Sequence, residues 1–279
     1  MAKIAKIIIE GTIQKENETY NQKWLLETIK KLEDRKDFAG IFLYINSPGG
    51  GVYESDEVYS AVLKYKEKAK KPVYAYFAQQ AASGGYYIGC SADKIIANRN
   101  CITGSIGVIA AQFVDISKLL KKYEIRTNSV HSGKNKTMGH PAEPFTLEQV
   151  KIMQSLSDEC YEQFVQIVSD SRKMDVEKVK SLADGRVYSA KQAKENGLVD
   201  EIANFDEAVK IFCKDVLNDE DCSPDIKEFK PKEKRSLSKM LRGAKSEAGK
   251  LDALFAVLEK TGIKQKIPFP AYYCEFLSK

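Results

Sequence analysis

The constraint that bears hardest on this chain is a repeated junction at which an apolar, β-branched run stops abruptly in glycines. The run at residues 41–45 leads into Asn46-Ser47-Pro48-Gly49-Gly50-Gly51, and the run at residues 73–77 leads into Ala81-Ala82-Ser83-Gly84-Gly85-Tyr86-Tyr87. Further runs at residues 4–9, 94–97 and 125–130 also read as buried strands. Between the first two strands, Trp24, Leu25, Thr28, Ile29 and Leu32 form one apolar stripe at helical spacing, and Val58, Ala61, Val62 and Tyr65 form another before the third. Strands alternating with amphipathic helices specify an α/β fold with a largely parallel sheet, whose functional turns lie at the carboxyl ends of the strands. Both glycine turns are therefore expected to meet on one sheet edge.

A chain of 279 residues with 43% hydrophobic content buries one sizeable core. The net charge of +5 is uneven, since residues 223–279 carry +6 and the preceding residues −1. A neutral body with a basic, lysine-rich tail gives no reason to expect a nucleic-acid partner. The longest apolar run near the N-terminus is Ile7-Ile8-Ile9, far short of the roughly 18 residues that span a bilayer. Six scattered cysteines without C-x-x-C spacing, and only two histidines, His131 and His140, indicate neither a metal site nor a disulfide framework, while the even cysteine count leaves room for a single disulfide. Scattered thiols fit a reducing interior, so a cytoplasmic location is expected.

A periodic segment at residues 147–174 sets Val150, Met153, Leu156, Cys160, Phe164 and Val168 on one face of a long helix, read mainly as a core stripe. From about residue 218 the pattern decays into Pro, Lys, Glu and Ser, interrupted by an apolar cluster at residues 251–258 and by Phe269-Pro270-Ala271-Tyr272-Tyr273. The expected division is a domain at 1–216 and a basic, partly mobile extension at 217–279, with 218–250 linker-like. The proline-fixed segment near the end has the character of a β-strand for a peptide groove or a neighbouring subunit, or of a strap over the core.

Ser83, between small residues where a strand turns into a helix, sits where a nucleophile is presented, and bare backbone N–H groups of the Gly49–Gly51 turn suit an oxyanion. A serine hydroxyl needs a base. The loop Ser132-Gly133-Lys134-Asn135-Lys136-Thr137-Met138-Gly139-His140 offers His131, His140 and two lysines nearby. A lysine, ordinarily titrating near ~10.4, serves as a base only where burial or positive charge keeps it neutral.

Four ordered motifs carry a specific resemblance: Asn46-Ser47-Pro48-Gly49-Gly50-Gly51-Val52-Tyr53-Glu54-Ser55, Ala81-Ala82-Ser83-Gly84-Gly85-Tyr86-Tyr87-Ile88, Thr103-Gly104-Ser105-Ile106-Gly107-Val108 and Asp184-Gly185-Arg186-Val187-Tyr188. Over about residues 3–212 the chain resembles the signal peptide peptidase A family. The resemblance implies a ClpP/crotonase-like spiral of stacked β-β-α units and a Ser/Lys-dyad endopeptidase that assembles as a homo-oligomer on peptide substrates, with no cofactor and no metal. It implies Ser83 as nucleophile, Lys136 as base with Lys134 as its competitor, Ser105 as the serine that orients the lysine, and Gly50 and Gly84 as oxyanion-hole donors. Arg186 is expected to anchor a turn by a salt bridge.

Members of that family commonly carry an N-terminal membrane anchor, whereas this chain opens on Met1-Ala2-Lys3 and its first strand. The expectation is a soluble homologue, for which general peptide degradation stands beside remnant signal peptides as substrate; membrane association enters only if an anchor is missing. Two other readings share the glycine turn: a crotonase-like acyl-CoA enzyme, which needs no serine nucleophile, and a non-catalytic peptide-binding scaffold.

Overall fold

The computed structural model describes residues 2–219, 222–231 and 271–273. The expectations for the stretch 232–250, the cluster at 251–258 and Cys274 lie outside the described residues. In chain order the elements are β1 (Lys3–Glu10), α1 (Gln22–Glu33), β2 (Phe38–Ser47), β3 (Gly49–Gly51), α2 (Val52–Ala69), β4 (Val73–Ala82), α3 (Gly84–Gly89), β5 (Lys94–Ala97), β6 (Ile102–Gly104), α4 (Ser117–Lys122), α5 (Leu147–Arg172), α6 (Val176–Leu182), β7 (Val187–Ser189), α7 (Ala190–Glu195), β8 (Glu201–Ile202) and α8 (Phe205–Phe212). A π-helical turn (Cys213–Leu217), β9 (Asp225–Phe229) and β10 (Ala271–Tyr273) follow.

The main sheet runs β7-β6-β4-β2-β1-β9, with β5 and β8 branching from the first half of β4. Every pairing in it is parallel except β6 with β7. Parallel strands need crossover helices, which cover both faces, and so β2 and β4 read as near-continuous apolar runs. On one face Leu25, Ile29, Leu32, Val58, Val62 and Tyr65 from α1 and α2 pack on Ile7, Ile9, Leu43 and Ala75. On the other, α8 brings Phe212 against Phe42 and Tyr74, with ring centroids 5.4 and 5.0 Å apart. The helical stripes expected for α1 and α2 are the ones buried.

The first turn of α5 is fixed by a capping box between Thr146 and Gln149. Its apolar stripe divides in two: Phe164, Val165 and Val168 are buried, whereas Val150 and Leu156 are exposed. Only the C-terminal half is a core stripe, because that half packs into the main core, with Phe164 against Tyr87 of α3. The helix ends on Arg172, whose guanidinium pairs with both Asp200 oxygens at 3.0 and 2.5 Å and donates to the Gly197 carbonyl. Asp200 also accepts from Ile95 N–H, so this ion pair ties α5 to the start of β5.

Three sequence expectations are corrected. Residues 125–130 form no strand: Ile125 and Val130 are exposed and find no partner strand among the described residues, so β-branching alone did not make one. Residues 225–229 are not linker-like, for β9 runs parallel to β1 and Phe229 packs edge-on against Phe38 at 5.9 Å. Cys213 and Cys222 are joined by a disulfide that closes the connection into β9, while Cys90 and Cys101 are buried thiols outside it.

Replacing Phe164 by Ala empties the contact between α5 and α3, where its ring lies 5.0 Å from that of Tyr87. A loss of about 3–5 kcal/mol is expected, measurable as a fall in the urea midpoint.

Candidate active site

The site is built where β2 and β4 end side by side. Ile45 of β2 faces Phe77 of β4, then the register shifts and Ser47 faces Ala81, which brings the two glycine turns together on one sheet edge. The Asn46 side-chain oxygen accepts from Gln80 N–H at 3.3 Å, and the Ser47 hydroxyl accepts from Gly49 N–H at 3.1 Å. The turn after β2 is thus held from both sides.

Ser83 occupies the junction of β4 and α3 with φ 52° and ψ −120°. A positive φ costs a residue with a Cβ about 1–3 kcal/mol and persists only where neighbours over-determine it. Here Ala81 and Ala82 are paired to Thr103 and Gly104 of β6, Ser83 N–H donates to the Gly104 carbonyl at 2.8 Å, and the Ser83 carbonyl accepts from Tyr87 N–H at 2.9 Å. The result is a strained strand-to-helix elbow. The Ser83 hydroxyl is buried and has no hydrogen-bond partner among the described residues. An unpaired buried hydroxyl is costly, and such exceptions concentrate at reactive positions.

Beside it lie the two expected oxyanion donors. An alanine methyl at Gly84 would stand 2.3 Å from the Ser55 hydroxyl oxygen and 3.2 Å from Gly50 N, and one at Gly50 would stand 1.8 Å from the Ile13 carbonyl oxygen. The Ile13 and Gly50 backbones therefore pass closer than any Cβ permits, and at Gly84 the Ser55 hydroxyl fills the space a Cβ would need. Ile13 N–H donates to Gly49 C=O and Gly51 N–H donates to Ile13 C=O, both at 2.8 Å. Successive residues of a strand point their polar groups to opposite edges, so Gly50 turns its N–H and C=O away from Ile13, toward β10, where Tyr272 is its partner in antiparallel register. The bracing roles of Ile13 and Ser55 were not legible beforehand. Ile13 is an isolated apolar residue in a polar stretch, and Ser55, which donates to Gly51 C=O at 2.8 Å, ends the first glycine motif with no signal of its own.

Ser105 follows Gly104, its N–H donating to Arg186 C=O at 2.8 Å. It lines a cleft of about 430 Å³ with Tyr161, Asp158 and Asp184. Arg186 and Asp184 form the expected turn ion pair, Nε lying 2.8 Å from both carboxylate oxygens, and these hydrogen bonds hold the Asp184 carboxyl below the usual carboxylate range. The two candidate lysines differ. Lys134 is paired to Glu148 at 2.5 Å, whereas Lys136 is exposed and makes no side-chain hydrogen bond or ion pair among the described residues. Neither reaches the Ser83 hydroxyl within the single chain, since that hydroxyl has no partner. His131 and His140 are exposed on the same loop. Among the described residues no cluster of three or more His, Cys, Asp or Glu is arranged to hold a metal ion. No helix among them is long and apolar enough to cross a membrane.

The model of peptidase family S49 matches residues 65–216, which include the elbow, the Ser105 turn and the lysine loop. An Enterococcus faecium protein named "Putative signal peptide peptidase SppA" is 37% identical over 97% of this chain and 80% of its own length. "Protease 4" of Haemophilus influenzae is 34% identical over 74% of this chain and 34% of its own length. "Serine protease SPPA, chloroplastic" of Arabidopsis thaliana is 32% identical over 67% of this chain and 27% of its own length.

Gly84→Ala is expected to drive its methyl into the Ser55 hydroxyl and to destabilise the fold by about 1–3 kcal/mol. Adding Ser55→Gly should restore most of that loss in thermal melts, since it removes the atom in collision.

Proposed function

Since the chain belongs to peptidase family S49 and is a serine peptidase, we propose that Ser83 is its nucleophile, Lys136 its general base, Ser105 the residue that orients the lysine, and Gly50 and Gly84 the donors to the oxyanion. The observation that carries this reading is the elbow itself: a serine at φ 52°, its hydroxyl buried and unpaired, followed by Gly84, where a Cβ would stand 3.2 Å from the backbone N of Gly50. Neither an acyl-CoA enzyme nor a passive scaffold has a use for a serine held so.

An extended peptide lies antiparallel to β3, in the place that β10 takes within the chain, exchanging hydrogen bonds with Gly50. The neutral Lys136 amine takes the Ser83 proton as Oγ attacks the scissile carbonyl carbon, and the Gly50 and Gly84 N–H groups receive the oxyanion. The carbonyl–nitrogen bond then breaks, the lysine returns the proton to the leaving amine, and water hydrolyses the acyl-enzyme by the reverse route. The substrates are extended peptides, remnant signal peptides among them.

Of the two lysines, Lys134 is occupied by Glu148, which supports Lys136 as the base. Its exposure in the single chain supports a homo-oligomer in which packing between copies buries the lysine loop and closes the dyad. The stretch of chain around that loop also exposes Ile109, Val114, Leu119, Val130, Leu147 and Val150, apolar side chains fit for contact with a second copy. Peptidase activity should therefore fall on dilution in step with the assembled fraction seen by light scattering.

Ser83→Ala and Lys136→Ala should each lower kcat for a fluorogenic peptide by roughly 10⁴–10⁶ while KM changes little. Lys134→Ala should retain most activity. Equal loss in both lysine variants would overturn the assignment of the base.

A further inference from the structure

A carboxylate stands over the glycine strand along which substrate binds. A Cβ on Gly51 would lie 2.0 Å from Glu54 Oε2 and 3.0 Å from its carboxyl carbon, so the Glu54 carboxylate fills the side-chain position that Gly51 leaves empty. Two hydrogen bonds fix the glycine beneath it: Gly51 N–H donates to Ile13 C=O, and the Ser55 hydroxyl donates to Gly51 C=O, each at 2.8 Å. The donors around the carboxylate are spent on other acceptors. The buried Tyr20 hydroxyl donates to the Gln22 side-chain oxygen, and the Gln22 amide donates at 3.0 Å to the Glu54 backbone carbonyl. Among the described residues the carboxylate itself finds no hydrogen bond and no salt bridge. Its charge is felt all the same, since burial and then Glu54 push the Tyr20 hydroxyl above its ordinary range. Helix α2 has no side-chain cap, and Glu54 in its first turn complements the positive end of the helix. That contribution is to stability.

The register of β3 says what such a charge meets. A strand antiparallel to β3 sets one residue opposite Gly50 and the residue before it opposite Gly51, as β10 does with Tyr272 and Ala271. With Gly50 N–H as an oxyanion donor, the substrate residue opposite Gly50 carries the scissile carbonyl, and its predecessor lies opposite Gly51. Directly opposed residues of an antiparallel pair put their side chains on the same face, with Cβ atoms about 4.5–5.5 Å apart. The predecessor's side chain therefore leaves the strand beside the Glu54 carboxylate. A long cationic side chain there forms a charge-assisted hydrogen bond, and an acidic one is repelled. An apolar one of the same length leaves the carboxylate unpaired while the peptide strips water from it. From this placement we infer that Glu54 is a specificity-determining residue, selecting substrates with lysine or arginine immediately before the residue that donates the acyl group. The inference rests on the reading of Ser83 as nucleophile and of β3 as the substrate strand. Glu54 touches the substrate side chain and takes no part in proton transfer.

Extended fluorogenic peptides test this on the full chain. They carry lysine, acetyl-lysine, norleucine or glutamate before the acyl donor, and the acyl donor is varied over alanine, leucine, phenylalanine and tyrosine. The wild type is expected to favour lysine over acetyl-lysine and norleucine by about tenfold in kcat/KM, mostly through KM, as befits one charge-assisted contact partly withdrawn from water. Glutamate should be cleaved slowest. Glu54→Gln keeps the volume and removes the charge, and should bring the lysine and norleucine peptides within about twofold of each other. Glu54→Lys should place glutamate first. A role confined to the helix N-terminus would lower the melting temperature of Glu54→Gln and leave the lysine preference unmoved, and that result overturns the inference. So does a wild type that cleaves the lysine, acetyl-lysine and norleucine peptides equally, a comparison that needs no variant to fold. In both cases the peptidase assignment stands. Wild-type protein that cleaves none of the peptides removes the assignment of Ser83, and this inference with it.

Discussion

The whole site depends on one close approach of backbones. Ile13, Gly50 and Gly84 lie so near one another that a methyl on either glycine would overlap its neighbours, at 1.8 Å from the Ile13 carbonyl in one case and 2.3 Å from the Ser55 hydroxyl in the other. What the missing side chains make room for is a set of directed N–H groups that a Cβ would otherwise separate. Electrostatic stabilisation of an oxyanion requires donors fixed in advance, because donors that must reorganise during reaction return much of their benefit. Two hydrogen bonds from Ile13 fix the glycine strand, and pairing of β4 with β6 fixes the elbow.

The rest of the fold supplies the rigidity this arrangement needs. β4 is shared along its length between two neighbours, pairing with β5 over Tyr74–Phe77 and with β6 over Gln80–Ala82, so the strand that carries the serine is bound on both edges. An aromatic cluster of Phe42, Tyr74 and Phe212 backs it on one face, and Tyr86 and Tyr87 of α3 are buried on the other. Tyr86 donates to Leu198 C=O and Tyr87 to Asp56, so the helix after Ser83 is tied at two points to distant chain. Burial pushes the Tyr86 hydroxyl well above its ordinary range, which keeps it a neutral donor.

Much of this was legible from residue pattern, for reasons that also explain what was not. α1 and α2 have long apolar stripes, and Leu25, Ile29, Leu32, Val58 and Val62 are buried as their spacing requires. β3, β6, β7 and β8, at two or three residues each, are too short to show any period. Residues 125–130 have the composition of a strand without a neighbour to pair with, and composition does not reveal neighbours. The Cys213–Cys222 bridge has no motif spacing to announce it. Within the site, Ser83, Gly50 and Gly84 stood out because serine and glycine at strand ends have few uses. The choice between Lys134 and Lys136 is different in kind, since it turns on a long-range ion pair with Glu148 at the start of α5.

The left-handed conformation of Ser83 has a consequence for the life of the protein before it is complete. An unfolded serine with a Cβ avoids positive φ, so nothing in the nascent chain holds the hydroxyl as the finished elbow does. The conformation appears only when β6 has docked along the end of β4 and the Gly104 carbonyl has received the Ser83 N–H. β6 lies some twenty residues further along the chain, and its partner β7 more than eighty beyond that. The posture of the Ser83 hydroxyl is therefore a property of the closed sheet, and no local segment of the chain holds it alone.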